Sequence, residues 1–282
     1  MTIALLCSAC SPSDPVPGAP ATGDPEPRTF ATQTDAPSPD YGPLIATSPV
    51  LPKGEMRREA TAPPPPDAKA LGALWLQRLE AKQALGGYGL GGKSEDAPIA
   101  MFDVLMTARD FDAWVAKNGW AVPPHLRFGF QPEMAAPRIT PAAEAKVRTW
   151  PASRHRTGMQ LEALLGGHVY VRDGCFLVTS AGGGGESLAF FHAETGLDVD
   201  AEGYLVFINR VTGETMGRLG EEMSWGGPPT AVIDPDQEAE LRRACGDAPI
   251  KVVGSPMSSA RFNTQYPPSP LPPPPPPPPP PS

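Results

Sequence analysis

The sequence has little of what most readily indicates a function. Its 282 residues include four cysteines and four histidines. No apolar run reaches the roughly 18 residues that a membrane-spanning helix needs. The formal net charge is −8, and basic residues do not form a patch. Since nucleic-acid binding depends on clustered Lys and Arg, we expect no nucleic-acid partner and no helix across a membrane.

Basic residues come together in only three short groups. These are Arg57-Arg58, Arg154 with Arg156, and Arg242-Arg243. Isolated pairs of this kind are typical of solvated surface. The sequence therefore favours solvated surface over a binding site at each of them.

Proline is abundant but unevenly placed. Residues 1–66 hold 15 of the 40 prolines and residues 259–282 hold 13, so residues 67–258 carry only 12. The Pro-rich ends have too few apolar residues to offset the entropy of ordering. We predict a disordered tether over 11–66, a Pro-rich tail over 259–282 and a folded body between them. Within the body, 67–163 is predicted as an α/β part and 164–258 as a β-rich module with a C-terminal helix.

The clearest local signal is a β-hairpin at residues 168–180 (HVYVRDGCFLVTS). Two runs of β-branched and aromatic residues flank Asp173-Gly174, a dipeptide that accepts the positive φ angles of a type I′ turn. Cys175 follows the turn directly. We expect the rest of the body to pack around this hairpin.

The remaining periodicities and caps predict short helices and strands. Helix signals occur at 67–85, ending at Gly86-Gly87, and at 107–118, 140–147, 157–165 and 234–245. Strand signals occur at 99–106, 126–130, 188–192, 204–210, 216–224 and 250–253. The predicted class is α+β, with a small antiparallel sheet or partly open β-barrel and several short packing helices.

Two cysteines of the body form the sharpest pair. If the chain is exported, Cys175 and Cys245 should form a disulfide that closes a loop of about 70 residues and stabilises the fold by about 4 kcal/mol. In a cytosolic chain they would be two buried thiols.

Several motifs match the start of a functional pattern and then depart from it. Residues 87–94 (GYGLGGKS) satisfy the P-loop pattern, but a helix precedes them where a strand is needed, so we predict a flexible helix exit. Residues 198–203 (DVDAEG) resemble half of a calcium loop and are predicted as an acidic turn. His192-Ala193-Glu194 lacks the further ligands of a zinc deaminase, and residues 222–226 lack the first glycine of a nucleophile elbow. We predict no catalytic residue, metal site or cofactor.

A set of aromatic residues leaves two interpretations open. They line a ligand groove together with the turn at 225–229, or they pack in the core. The residues are Tyr170, Phe190, Phe191 and Phe207.

The first ten residues (MTIALLCSAC) place an apolar run and small residues before Cys10. This segment resembles the lipobox of bacterial lipoproteins, and the resemblance implies acylation of Cys10 and a membrane surface as partner. Over about residues 164–254, the "DGC" hairpin with its later Cys-Gly is similar to a β-rich module of uncharacterised bacterial lipoproteins, which brings no catalytic residues. The alternative is a disordered cytosolic N-terminus.

The C-terminal tail ends in ten prolines, residues 272–281. Together with the preceding YPPSPLP segment it would suit an aromatic peptide-binding groove, or act as a spacer. The sequence thus favours a non-enzymatic lipoprotein of the cell envelope with a structural or binding role. The alternatives are a hydrolase-type enzyme and an intracellular scaffold that recruits partners through its Pro-rich ends.

Overall fold

The computed structural model describes residues 29–41, 56–91, 99–157, 163–227 and 230–265. Within these ranges the chain forms thirteen strands in three sheets and five short helices. No described sheet closes into a barrel. The predicted α+β class with short packing helices is confirmed. Cys10 and the ten-proline run lie outside the described residues.

The described residues between 56 and 130 form an N-terminal lobe. Its elements are β1 (Arg57–Arg58), α1 (Ala68–Ala81), β2 (Leu85–Gly91), β3 (Ile99–Val104), α2 (Ala108–Lys117) and β4 (Arg127–Phe130). The strand order is β1-β4-β3-β2, and β3 runs parallel to β4. The helices pack on this sheet because Trp75 and Phe111 form one apolar cluster with Phe102 and Phe128.

Helix α2 follows its sequence signals closely. Thr107 has an extended backbone, and its hydroxyl accepts a hydrogen bond from the Asp110 backbone N–H at 3.1 Å. Such a cap satisfies one of the unpaired donors at a helix N-terminus. Gly119, just beyond the helix, has φ +64°.

Helix α1 ends earlier than predicted, and the Gly-rich segment after it is a strand. The chain leaves the helix at Ala81, and Leu85 begins β2. A Cβ atom at Gly87 would lie 2.9 Å from Asp103 Oδ2 of the neighbouring strand. The glycine therefore leaves room for the Asp103 side chain. The prediction of a helix stop and flexible exit at this position was wrong, and Lys93 and Ser94 of the P-loop pattern lie outside the described residues.

The second group of elements forms a C-terminal lobe. They are α3 (Pro141–Glu144), β5 (Ala163–Arg172), β6 (Cys175–Ser180), β7 (Ser187–Phe191), β8 (Thr195–Val199), β9 (Leu205–Asn209), β10 (Thr215–Arg218), β11 (Glu222–Gly227), α4 (Pro235–Cys245), β12 (Ile250–Gly254), β13 (Met257–Ser258) and α5 (Ser259–Gln265). A large sheet has the order β12-β7-β6-β5-β11-β13, and a small sheet has the order β10-β9-β8. Val147, Trp150 and Ala152 belong to the core of this lobe. The hydrophobic contacts therefore divide the chain near residue 131, earlier than the predicted boundary at 163.

The large sheet is buried on both faces. Val169, Val171 and Phe176 point to a core shared with the small sheet. Their neighbours Tyr170 and Leu177 point the other way, where Leu241 of α4 packs. Alternate residues of a strand face opposite sides, which explains why these strands are continuously apolar in sequence.

The predicted hairpin is confirmed and joins the sheet to α4. Asp173 and Gly174 have φ angles of +50° and +75°, as a type I′ turn requires. Cys175 at the start of β6 is bonded to Cys245 at the end of α4, with the two Cα atoms 5.6 Å apart. The predicted disulfide is thus present, and it ties the helix layer to the sheet.

Two strand assignments differ from the prediction. The helix predicted over 157–165 is replaced, from Ala163 onward, by the start of β5, because Leu164 and Leu165 pair with β11. Residues 158–162 of that predicted helix lie outside the described residues. The single strand predicted at 216–224 is two strands in different sheets, separated by a turn at Gly220 with φ +88°. The first difference arises from pairing with a distant strand, and the second arises because one half pairs with the neighbouring β9 and the other half with the distant β5.

Part of the predicted tether is bound to the C-terminal lobe. We call residues 29–41 the strap. Gln33 exchanges backbone hydrogen bonds with Val171, and its side chain donates to the carbonyls of Leu205 and Leu219 while accepting from the Leu205 N–H. Residues 57–58 likewise pair with β4. The prediction of disorder over 11–66 therefore does not hold for these two stretches.

The strap ends in a buried polar contact. Ser38 and Tyr41 both donate to the carboxylate of Glu221, which is 3% exposed. Burial, and next the hydrogen bond to Glu221, raise the pKa of the Tyr41 phenol. In the described part of the chain, no helix is long and apolar enough to cross a bilayer.

Candidate functional site

A cleft of about 520 Å³ lies where the two lobes meet. The N-terminal lobe supplies one wall from the end of α1, from Leu105 and Met106 after β3, and from the first turn of α2. The other wall comes from loops of the C-terminal lobe. A volume of this size is typical of small-molecule sites.

The lining of the cleft is basic although the whole chain is acidic. Five basic and two acidic side chains line it, a formal charge of +3 before the carboxylates that pair with Arg154 and Arg156 from outside the lining are counted. The whole chain carries −8. Four of the basic residues are arginines on the C-terminal wall. They are Arg138, Arg154, Arg156 and Arg210.

Backbone carbonyls hold two of these guanidinium groups in place. Arg138 Nη2 donates to the carbonyls of Trp150, at 3.3 Å, and Ala152. Arg210 Nη1 donates to the Ala193 carbonyl at 2.7 Å, and its Nε donates to the Ala136 carbonyl at 3.3 Å. A carbonyl orients a guanidinium without neutralising its charge. These two side chains are therefore fixed and still cationic.

Two cleft arginines, Arg154 and Arg156, form ion pairs. Arg156 is the more buried of the two, with 12% of its side chain exposed against 46% for Arg154. Its Nη2 donates to the Pro132 carbonyl at 3.1 Å. Its Nε lies 3.0 Å from Glu194 Oε1, close enough for an ion pair but poorly directed for a hydrogen bond. Glu194 also accepts the Thr157 N–H. Arg138, Arg156 and Arg210 together are called the arginine cluster below.

Arg154 differs because its charge is paired with a carboxylate and its side chain is 46% exposed. Its Nη1 lies 2.6 Å from Asp236 Oδ2 in the first turn of α4. This hydrogen bond raises the pKa of the Arg154 guanidinium. Arg154 therefore forms the outer edge of the basic wall.

The arginine cluster carries positive charge that its surroundings only partly compensate. Burial lowers the pKa of all three guanidinium groups. The charge of Arg154 lowers the pKa of Arg138 further, and Arg138 and Arg156 do the same to Arg210. Glu240 raises the pKa of Arg138. Glu194 raises those of Arg156 and Arg210, so the compensation is partial. Within the described residues, Arg138 Nε is buried without a hydrogen-bond partner. Buried positive charge and an unpaired donor are both costly.

A serine, a histidine and an aspartate also meet at the cleft, and their geometry bears on the hydrolase alternative. His155 Nε2 lies 2.9 Å from Asp234 Oδ1. The Ser153 hydroxyl, however, donates to the Val232 carbonyl at 2.8 Å and accepts the His155 backbone N–H. A serine nucleophile needs its hydroxyl on the imidazole. Here the hydroxyl is bound to the backbone.

The structure places the sequence candidates elsewhere. Cys175 and Cys245 form a structural link away from the cleft lining. Residues 200–203 are an acidic turn, as predicted, whose Asp200 and Glu202 pair with Arg218. The described residues contain no group of three or more His, Cys, Asp or Glu side chains that could hold a metal ion.

The proposed aromatic groove is not formed by the described residues. Phe190, Phe191 and Phe207 are fully buried, and Tyr170 and Trp225 are nearly so. These side chains pack in the core, which was the alternative interpretation.

Sequence reasoning missed the arginine cluster. Arg154 and Arg156 were interpreted as solvated surface, and Arg138 and Arg210 lie far from them in the chain. No local spacing relates the three loops involved. Glu194 was considered as part of the His192-Ala193-Glu194 pattern of zinc deaminases. In the structure it pairs with Arg156.

No family model, curated protein or solved structure matches this chain.

Proposed function

We propose that the chain is an exported, non-enzymatic protein of the cell envelope that binds a small ligand in the cleft between its lobes. The observation that carries export is the Cys175–Cys245 disulfide. Such bonds persist in oxidising compartments and are rare in the cytosol. The disulfide also disfavours the alternative of an intracellular scaffold.

The proposed anchor is a lipid on Cys10, which lies outside the described residues. It is supported by the lipobox-like segment before Cys10. Acylation would place the protein on a membrane surface, with the Pro-rich segments as spacers between the membrane and the body. A protein partner of these segments belongs to the same proposal.

A binding role is favoured over catalysis by the character of the cleft. Its best-positioned polar groups are guanidiniums, which donate hydrogen bonds and do not exchange protons near neutral pH. The Ser153 hydroxyl is held by backbone groups. Such a wall recognises a ligand through fixed donors.

Fractionation tests the anchor. The full chain is expressed in a bacterium with its native upstream DNA, and a Cys10→Ser variant is compared with a Cys7→Ser control. We expect wild type and the control in the membrane fraction, and loss of membrane attachment in Cys10→Ser. A soluble cytosolic wild type, unchanged by Cys10→Ser, would overturn the proposal.

Intact mass under non-reducing conditions tests the compartment separately. Exported material should be lighter by two hydrogens than the fully reduced chain, because Cys175 and Cys245 are bonded. Free thiols at both positions in exported protein would contradict it.

A further inference from the structure

We infer that the cleft binds a small phosphorylated molecule whose phosphate group is held by Arg138, Arg156 and Arg210. This inference rests on the proposed binding role and names the ligand class of the same cleft. It does not depend on where in the cell the protein resides.

The three guanidinium groups are held in place before any ligand binds. Arg138 and Arg210 are oriented by the carbonyls of Ala152 and Ala193, and Arg156 by that of Pro132. A planar guanidinium that is already fixed loses little freedom when it binds an oxyanion. Carbonyl-held arginines are thus suited to hold an anion that the protein itself does not provide.

Charge also favours an anion. Within the described residues, Glu194 is in ion-pair contact with Arg156, and its charge also raises the pKa of Arg210. Burial, followed by neighbouring arginines, nevertheless lowers the pKa values of Arg138 and Arg210, and Glu240 opposes this only in part for Arg138. A ligand with two negative charges would relieve this repulsion between the guanidinium groups.

The arrangement of the three arginines around the cleft favours phosphate over carboxylate. The three arginines come from three separate loops, before α3, before β5 and after β9. They can approach a ligand from different directions, and a phosphate monoester offers three terminal oxygens and nearly two charges at neutral pH. A carboxylate offers two oxygens in one plane.

The remaining space indicates a molecule larger than free phosphate. The cleft volume of about 520 Å³ leaves room beyond one phosphate group. Ala84, Leu105 and Met106 line the opposite wall. A short carbon skeleton attached to the phosphate would contact these apolar side chains.

Calorimetric titration of the purified full-length chain, in detergent where it is acylated, tests the inference at fixed ionic strength. The probes are glycerol 3-phosphate, inorganic phosphate, acetate and a single-stranded oligonucleotide. We expect glycerol 3-phosphate to bind more tightly than inorganic phosphate, and both more tightly than acetate. Tighter binding of inorganic phosphate would identify the free ion as the ligand and overturn the ester. Tighter binding of acetate or of the oligonucleotide would overturn the phosphorylated small molecule.

Three variants assign the binding to the cluster. Arg138→Gln should weaken binding at least about tenfold, since it removes charged hydrogen bonds. Arg210→Lys keeps the charge but loses the planar fork, so a smaller loss is expected. Arg243→Gln removes the same charge from the exposed face of α4 and should leave binding unchanged.

Folding is checked separately so that every outcome can be interpreted. Arg138→Gln removes contacts to two loop carbonyls, so each variant is compared with wild type by thermal unfolding without ligand. If Arg138→Gln is unfolded, the affinity of Arg210→Lys for glycerol 3-phosphate decides whether the cluster binds the phosphate. No phosphate binding by wild type, or equal weakening by Arg243→Gln, would overturn the inference while leaving the fractionation result intact.

Discussion

The two lobes are stabilised in different ways. The N-terminal lobe is stabilised by one aromatic cluster, in which the ring centroids of Phe111 and Phe128 are 4.9 Å apart. All buried members of this cluster lie between Trp75 and Phe130 in the chain. The C-terminal lobe adds links between distant parts of the chain, namely the Cys175–Cys245 bond and the strap. The arginine cluster therefore belongs to the lobe that has covalent and hydrogen-bonded cross-links. Placing three positive charges close together lowers the free energy of unfolding, and the cross-links raise it in the same lobe.

Removing the disulfide should have the largest effect and should be confined to the C-terminal lobe. A Cys175→Ser/Cys245→Ser double variant loses a link between residues 70 apart, worth about 4 kcal/mol in unfolding free energy. Hydrogen exchange measured for each lobe checks this. Reductant should destabilise wild type similarly and leave the variant unaffected. Equal loss of protection in both lobes would refute the comparison.

Phe111→Ala is the reciprocal test in the N-terminal lobe. Phe111 is fully buried and contacts the ring of Trp75 at a centroid distance of 5.7 Å. The cavity should lower the unfolding free energy of this lobe by about 3 kcal/mol. Hydrogen exchange measured for each lobe reports it, because tryptophan fluorescence would also include Trp150 and Trp225 of the C-terminal lobe. Unfolding of both lobes together would show one cooperative unit.

Gln33→Ala tests the strap. It removes the side-chain bonds to Leu205 and Leu219 and leaves buried backbone groups unpaired. We expect a loss of about 2 kcal/mol, again in the C-terminal lobe. Thr34→Ala is the matched control because Thr34 is exposed. Similar effects of the two substitutions in denaturant titrations would show that the strap contributes nothing specific.

Acidification should produce the smallest effect. Burial lowers the pKa of His192 in the folded state, whereas the unfolded chain binds a proton near pH 6.5. The unfolded state then holds more protons, so stability should fall as the pH drops below about 6.5, by no more than about 1.4 kcal/mol per pH unit. Denaturant midpoints across this range measure it. His192→Gln should flatten the slope, and an unchanged slope would exclude His192 as its cause.

The sequence was sufficient wherever the signal was local. Asp173-Gly174 specifies its own turn, Thr107 its own cap, and Asp234-Pro235 the start of α4. The pairing of Cys175 with Cys245 was expected because few cysteines are present. These features depend on a few neighbouring residues or on simple counting.

The features that failed depend on pairing partners that local sequence patterns do not identify. The strand character of β2 comes from pairing with β3, and the order of the strap comes from Gln33 reaching Leu219. Composition predicts disorder for Pro-rich segments because it does not register such contacts. The arginine cluster has the same origin, since three loops meet only after both sheets have formed.

The position of the strap in the chain has one more consequence. Residues 29–41 contact the C-terminal lobe before the chain builds the N-terminal lobe, and residues from about 132 onward return to it. The N-terminal lobe is therefore an insertion, and both of its ends connect to a host domain. Deleting residues 56–130 and joining the flanking segments by a flexible linker should leave a host domain that folds by itself and retains the arginines but not the opposite wall.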